Sequence, residues 1–423
     1  MLENNTDSFC KVLGVWNKAL NVLNCVIALD STSSSTKVTV LQESIIVTQH
    51  GRRAKFNLPN ISVLPYSCRG LKLHEHSGEI EFSFEGSHHN LRSQENEMTQ
   101  KKYSRQTEMV DRISHLQNRW FCATCQQKIL SDLCHFNRVL PLPSENWSDL
   151  ADIWFCHNHS KVTASSEKTG DVNTNTCNST NGVVPGNMKQ KLLPGNKECF
   201  VGETYVLVAR RYVAKGSVKV TAAGEVTCFR CKRQLGVAMD TDKDEYSQVI
   251  KFFLHTFFIK DFSRESLTNT ASIGHRVDLD GYFSNLILEQ SQSYSSFRFL
   301  MESEPDTQGK STCLLWLLDS CVRMYTSAIQ VKGEEGILEE RNVVKFMFKC
   351  QLATSNSDRP VDYVTKSIVS MWRRDDTVHG VTLPHQVFLQ LVQLLVHNCK
   401  VLPQSQRFLN GFHVSFLKLE SPT

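Results

Sequence analysis

The stretch that decides the reading of this chain opens on Trp120-Phe121-Cys122-Ala123-Thr124-Cys125. It turns at Leu140-Pro141-Leu142-Pro143 and closes on Trp154-Phe155-Cys156-His157-Asn158-His159. Metal-ligating residues, rigid turn residues and exposed-looking aromatics are crowded together here. The Cys122/Cys125 spacing places two thiolates on one face of a tight turn, at a bite suited to tetrahedral zinc. A second knuckle, Cys228-Phe229-Arg230-Cys231, repeats it downstream. Together the pairs complete one closed site with no open position for substrate, so zinc at Cys122, Cys125, Cys228 and Cys231 would be a structural cofactor whose binding energy contributes to folding.

Two other readings of these cysteines stay open. Cys156 and His159 form a Cys-x-x-His that can join Cys122 and Cys125 in a small local finger, which leaves Cys228 and Cys231 with only Cys199 nearby. A redox or plain core role is the third, although a redox knuckle usually opens a helix beside a strand and neither pair has that context.

Outward from this stretch the pattern is α+β. The N-terminal half is β-rich, zinc knuckles link the two halves, and the C-terminal half mixes helix and strand. Val38 and Val40 alternate within Lys37 to Leu41; Ile80, Phe82 and Phe84 repeat the pattern. Ser44–Thr48, a turn at Gly51 and Ala54–Leu58 read as a hairpin, and Leu64 to Gly70 as a turn. Gly86 to Glu108 is polar and reads as a loop, with His88-His89 solvated inside it. Ser160 to Pro194 is nearly all Ser, Thr, Asn, Gly and Lys, too poor in apolar groups to offset ordering entropy, and reads as a disordered insertion.

Beyond it, Tyr205–Val208 and the aromatic Tyr246–Ile259 read as strands, and Phe283–Gln290 as a helix. Val344, Phe346 and Phe348 alternate as a strand, Pro384 introduces an amphipathic helix through His397, and Phe412, Val414 and Phe416 form a last strand. The Phe252 to Phe258 aromatics read as core, and Arg373-Arg374-Asp375-Asp376 as an exposed, self-compensating charge run. The organisation expected in sequence order is a β-rich region over 1–119, the knuckle with a Pro-Trp-Cys-His segment over 120–159, the insertion over 160–194, and an α+β region with the second knuckle over 195–423.

The chain of 423 residues carries 47 Lys and Arg against 43 Asp and Glu, a formal charge of +4. No basic block concentrates this charge, so no direct nucleic-acid partner is expected. The polar start Met1 to Asp7 lacks a secretory signal, and the densest apolar run, Phe252 to Ile259, is too short for a membrane span. The expectation is a soluble protein of the cytoplasm, with the nucleus as a second compartment, whose 15 cysteines stay thiols unless they bind metal.

Leu140 to Pro143 cannot be helical, because each proline restricts itself and its predecessor. Pro141 and Pro143 then sit on an extended arm that leads to Trp147. Ser144 caps a short helix that delivers Cys156 and His157 to its far end. These two residues read either as a hook reaching a partner's metal or as a buried cysteine with an internally satisfied histidine.

The run Leu140 to Trp147 followed by Cys156-His157 resembles the ubiquitin-protein ligases described as ubiquitin-conjugating-enzyme-binding proteins with a HECT-like domain. Leu64-Pro65-Tyr66-Ser67-Cys68-Arg69-Gly70-Leu71, Cys199-Phe200-Val201-Gly202, Cys228-Phe229-Arg230-Cys231-Lys232, Leu314-Leu315-Trp316-Leu317-Leu318, Leu383-Pro384 and Phe412 to Lys418 carry the same resemblance. It implies transfer of ubiquitin from a conjugating enzyme to proteins, this chain included, with cyclin-type proteins among the substrates. It also implies binding and inhibition of the metallo-β-lactamase-type zinc endonuclease of pre-mRNA 3′-end cleavage, through the motif at Cys156-His157. An incoming Cys156 thiolate is a softer, stronger ligand than the water on an open catalytic zinc.

A HECT-type transfer needs a cysteine that accepts ubiquitin as a thioester. Cys399 is the candidate, with His397 and Lys400 placed to lower its pKa. The alternatives are noncovalent docking of a charged conjugating enzyme and substrate, and a non-catalytic, zinc-stabilised adaptor or assembly chaperone for the nuclease.

Overall fold

The structure, a computed structural model, describes residues 10–30, 36–89, 106–142, 193–202, 204–239, 248–260, 279–305, 309–327, 335–353 and 363–419. The reading of 160–194 as a disordered insertion therefore falls almost wholly outside the described residues. The chain divides into two compact units, residues 1–99 with 278–423 and residues 100–277. The N-terminal strands fold with the C-terminal region, so the units do not follow the sequential order of the segments.

The first unit starts with β1 (Cys10–Asn17), β2 (Val22–Leu29), β3 (Lys37–Leu41), β4 (Ser44–Gln49), β5 (Arg52–Asn57), β6 (Ile61–Val63), β7 (Arg69–His74) and β8 (Glu79–His88). The expected hairpin is β4–β5, with Gly51 at φ +77° in its turn. On β8 Phe82 and Phe84 are buried as the alternation requires. His88 is not solvated. It ends β8 with only 8% exposure, because Arg323 Nη1 donates to its Nε2 at 2.5 Å and Glu340 lies 3.4 Å away. The expected loop is also shorter than its polarity suggested, since residues 106–116 form a helix, α1, that buries Met109 and Ile113 one turn apart.

The second unit contains α1 and β9 (Trp120–Cys122), β10 (Arg138–Pro141), β11 (Glu198–Val201), β12 (Tyr205–Ala209), β13 (Val218–Val220), β14 (Glu225–Cys228), β15 (Gln234–Met239), β16 (Val249–Phe253) and β17 (Phe257–Ile259). Seven strands form one sheet in the order β10-β11-β12-β16-β15-β14-β13, and β9 pairs with β17. Trp120, expected to be exposed, is fully buried and stacks on Phe257 with ring centroids 4.5 Å apart. Phe252 meets the same indole edge-on, so these aromatics are core, as their density suggested. Gly236 has a local reason: a Cβ there would stand 2.0 Å from the Lys251 carbonyl oxygen on the neighbouring strand.

The first unit is completed by α2 (Leu279–Tyr294), β18 (Arg298–Ser303), β19 (Thr312–Ser327), β20 (Glu335–Gln351), α3 (Tyr363–Trp372), β21 (Val378–Leu383), α4 (His385–Val401), β22 (Phe408–Leu409) and β23 (Phe412–Lys418). Its sheet runs β3-β4-β5-β20-β19-β1-β2-β8-β6. The long strands β19 and β20 change register between Leu317 and Val322, so β19 pairs with β18 near one end and with β1 near the other.

Both faces of β1 are covered. Cys10, Val12 and Trp16 join one core cluster, while Leu13 joins a second with Val15 packed against it. Pro384 stands at the N-cap of α4, whose Val387, Phe388, Leu391, Val392 and Leu395 are buried at helical spacing. Arg373 and Asp375 are not self-compensating. Arg373 pairs with Glu302 at 2.7 Å and Arg298 with Asp375 at 2.9 Å, tying the end of α3 to β18. Among the described residues, no helix is long and apolar enough to cross a membrane.

Candidate metal centre

Cys122, Cys125, Cys228 and Cys231 converge inside the second unit, with all four sulfur atoms within 4.8 Å of one another. Each pair hangs on the end of a strand, the first on β9 and the second on β14. The two turns repeat each other bond for bond. Cys122 N–H donates to Gln127 O and Gln126 N–H to Cys122 O; Cys228 N–H donates to Arg233 O and Lys232 N–H to Cys228 O, all at 2.8–2.9 Å. Gln126 and Lys232, at matching positions, take positive φ of 60° and 63°. This conformation reverses the chain beneath the sulfurs and turns backbone N–H groups toward them.

The two knuckles interlock crosswise. Cys122 Sγ lies 3.7 Å from Cys231 Sγ, and Cys125 Sγ 3.5 Å from Cys228 Sγ. Arg233 donates to Thr124 Oγ1 at 2.9 Å and Arg230 to the Cys125 carbonyl at 3.4 Å, so the second turn reaches over to the first. Sequence spacing identified the four sulfurs and missed these arginines. The basic run Arg230-Cys231-Lys232-Arg233 was their signal, and the two arginines meet a hydroxyl and a carbonyl of the opposite turn rather than the sulfurs.

Burial pushes the Cys122 thiol up to about 12 and raises Cys228 too, against N–H groups of Thr124 and Cys125 in one case and of Arg230 and Cys231 in the other. At Cys125 burial also acts upward, but the Gln127 N–H and the neighbouring thiols outweigh it, and its pKa is lowered. The four groups could hold a metal ion, which would replace the thiol protons. The local finger is not what this geometry favours, since Cys228 and Cys231 have found the first pair.

The other predicted residues lie apart. Cys399 is in the last turn of α4, in the first unit, and is only 7% exposed. Burial raises its pKa, with Arg407 acting in the opposite direction. Its thiol faces the Arg407 carbonyl at 3.9 Å. The lowering expected from His397 and Lys400 does not govern it. Pro141 is exposed at the end of β10, which lies at the edge of its sheet among the described residues. Pro143, Trp147, Cys156 and His157 lie outside the described residues.

The family model for HECT-like ubiquitin-conjugating enzyme (E2)-binding proteins matches residues 17–414. The match covers both units, and the chain belongs to this family. Among curated proteins it is similar to "E3 ubiquitin-protein ligase E3D" of Mus musculus, 26% identical over 397 residues that cover 90% of each chain. The protein of the same name from Homo sapiens is 25% identical over 411 residues, covering 90% of this chain and 91% of its own. That of Bos taurus is 28% identical over 311 residues, or 71% and 72%.

Proposed function

We propose that this chain docks a ubiquitin-conjugating enzyme and promotes transfer of its ubiquitin to proteins, itself included. The observation that carries this reading is the family match across 17–414. Noncovalent docking of the charged enzyme is the favoured mechanism, because Cys399 is buried and its thiol pKa is raised, the opposite of what a thioester-forming nucleophile requires.

Zinc at Cys122, Cys125, Cys228 and Cys231 is the structural cofactor in this reading. With Zn–S bonds of about 2.3 Å, a tetrahedral site spaces its sulfurs by about 3.8 Å. The crosswise 3.5 and 3.7 Å separations are close to that edge. Four protein ligands leave no position for substrate, so the ion stabilises the unit and takes no part in transfer.

A second role is binding of the metallo-β-lactamase-type endonuclease through Cys156 and His157. It is supported by the resemblance that the run Leu140 to Trp147 followed by Cys156-His157 carries in the sequence. Cyclin-type proteins are candidate substrates.

Discharge of a ubiquitin-charged conjugating enzyme, followed by non-reducing electrophoresis, tests the main reading. Wild type and Cys399→Ser are expected to accelerate discharge equally. No acceleration by wild type overturns the ligase reading; a reductant-sensitive adduct lost only in Cys399→Ser overturns the noncovalent mechanism. Co-purification of the endonuclease with wild type but not with Cys156→Ala is expected for the second role, and equal recovery with both contradicts it.

A further inference from the structure

Cys313 and Cys350 stand directly opposite each other on β19 and β20. Their sulfur atoms are 2.9 Å apart, closer than the crosswise pairs of the metal centre at 3.5 and 3.7 Å. Directly opposed antiparallel residues carry Cβ atoms about 4.5–5.5 Å apart. A disulfide asks for about 3.5–4.5 Å, so a small local adjustment closes the gap.

The strands hold this register firmly. Pairing is continuous from Thr312 to Leu317, ahead of the irregularity, and Leu314, Leu315 and Phe348 beside the cysteines are buried. β18 on one side and β23 on the other complete the ladder.

Access to the two sulfurs is unequal. Cys313 is fully buried and Cys350 half-buried. An oxidant from solvent therefore meets Cys350 first, with Cys313 behind it as the resolving thiol. Contact with Cys350, together with burial, raises the Cys313 pKa, which keeps that thiol protonated until its neighbour has reacted.

We propose that Cys313 and Cys350 are a modification site: a thiol pair that hydroperoxides convert to an intrachain disulfide across β19 and β20. In the first step the Cys350 sulfur attacks a peroxide oxygen. The O–O bond breaks, the leaving hydroxide takes the thiol proton as water, and Cys350 becomes a sulfenic acid. In the second step the Cys313 sulfur attacks the Cys350 sulfur, the S–O bond breaks, and the second water leaves with the Cys313 proton. Two thiols are oxidised, one peroxide is reduced, and a thiol reductant reverses the bond.

The test uses the full-length, metal-loaded protein, reduced and then freed of reductant. It is treated with hydrogen peroxide at one equivalent, alkylated, digested with trypsin without reduction and mapped by mass spectrometry; Arg323, Arg341 and Lys345 separate the two cysteines. The expected product is a peptide with Cys313 joined to the one with Cys350, two hydrogens lighter than the pair and split by dithiothreitol. In Cys313→Ser, dimedone is expected to trap a sulfenic acid on Cys350. Recovery of both wild-type cysteines as alkylated thiols overturns the proposal. So does a sulfenic acid that accumulates on wild-type Cys350 while Cys313 stays reduced, or a cross-link that forms only after denaturation. The wild-type result decides the matter even if a variant fails to fold.

Discussion

Replacing Cys228 by Ser removes one sulfur from the four-cysteine cluster while leaving the turn's backbone bonds, Cys228 N–H to Arg233 O and Lys232 N–H to Cys228 O, free to form. The substitution therefore separates metal retention from turn formation. In the unfolded chain the two knuckles have no fixed relation, so the free energy of metal binding is folding free energy. With free zinc a thousandfold above its dissociation constant, that contribution is about 4 kcal/mol. At about 2–4 °C per kcal/mol for a unit of this size, losing it lowers the melting temperature by roughly 8–16 °C.

All four ligands belong to the 100–277 unit, so the effect should be local. Calorimetry measures the shift, metal analysis the stoichiometry, and hydrogen exchange its location. One zinc per wild-type chain is expected to be lost, with protection disappearing in β9 and β14 and persisting in β1 and β2. A variant that keeps a full equivalent of metal, melts with wild type, or loses protection to the same degree in both units would refute a metal clamp at these four cysteines.

Trp120→Ala empties a fully buried indole site against Phe257 and Phe252 and should cost about 3–5 kcal/mol in chemical denaturation; a change within about 0.5 kcal/mol, the range of ordinary surface substitutions, contradicts the packing described. Asn398→Ala removes a donor from the buried Phe416 carbonyl, 2.8 Å away, and from Asp280, with an expected loss of about 1–3 kcal/mol by the same assay. Burial moves the Cys25 thiol from its ordinary 9.0 to about 12. The stability from keeping it neutral is thus complete below about pH 9 and declines as pH rises toward 12, because the unfolded chain releases the proton first. Thermal melts between pH 8 and 10.5 should show this decline, to which buried Cys10 and Cys134 contribute in the same direction, and Cys25→Ala should make it shallower; an identical slope in the variant removes Cys25 as a source.

Half-buried strands were legible because their apolar residues alternate, as on β3 and β8, and β4 and β5 through the turn at Gly51. β1 fell inside the region read as β-rich without being picked out as a strand, because Leu13 and Val15 face one core while Val12 and Trp16 face the other, leaving no polar side to set the period. The metal cluster was readable since each pair is local and its spacing is set by the turn. The Arg230 and Arg233 contacts depend on how the turns meet, which no spacing records. His88 looked solvated beside His89 and Ser87, but its burial is decided by Arg323 and Glu340, more than two hundred residues away in sequence. Arg373 and Asp375 found partners on β18 for the same nonlocal reason. α1 is hard to read because its polar residues outnumber Met109 and Ile113, although their i, i+4 spacing is a helical signal.

Association with a ubiquitin-conjugating enzyme is the central claim. Isothermal titration of the metal-loaded full-length chain with a panel of purified conjugating enzymes should yield saturable binding to at least one, unchanged by Cys399→Ser. If no member of the panel binds a chain shown to be folded and carrying its metal, the central claim is contradicted.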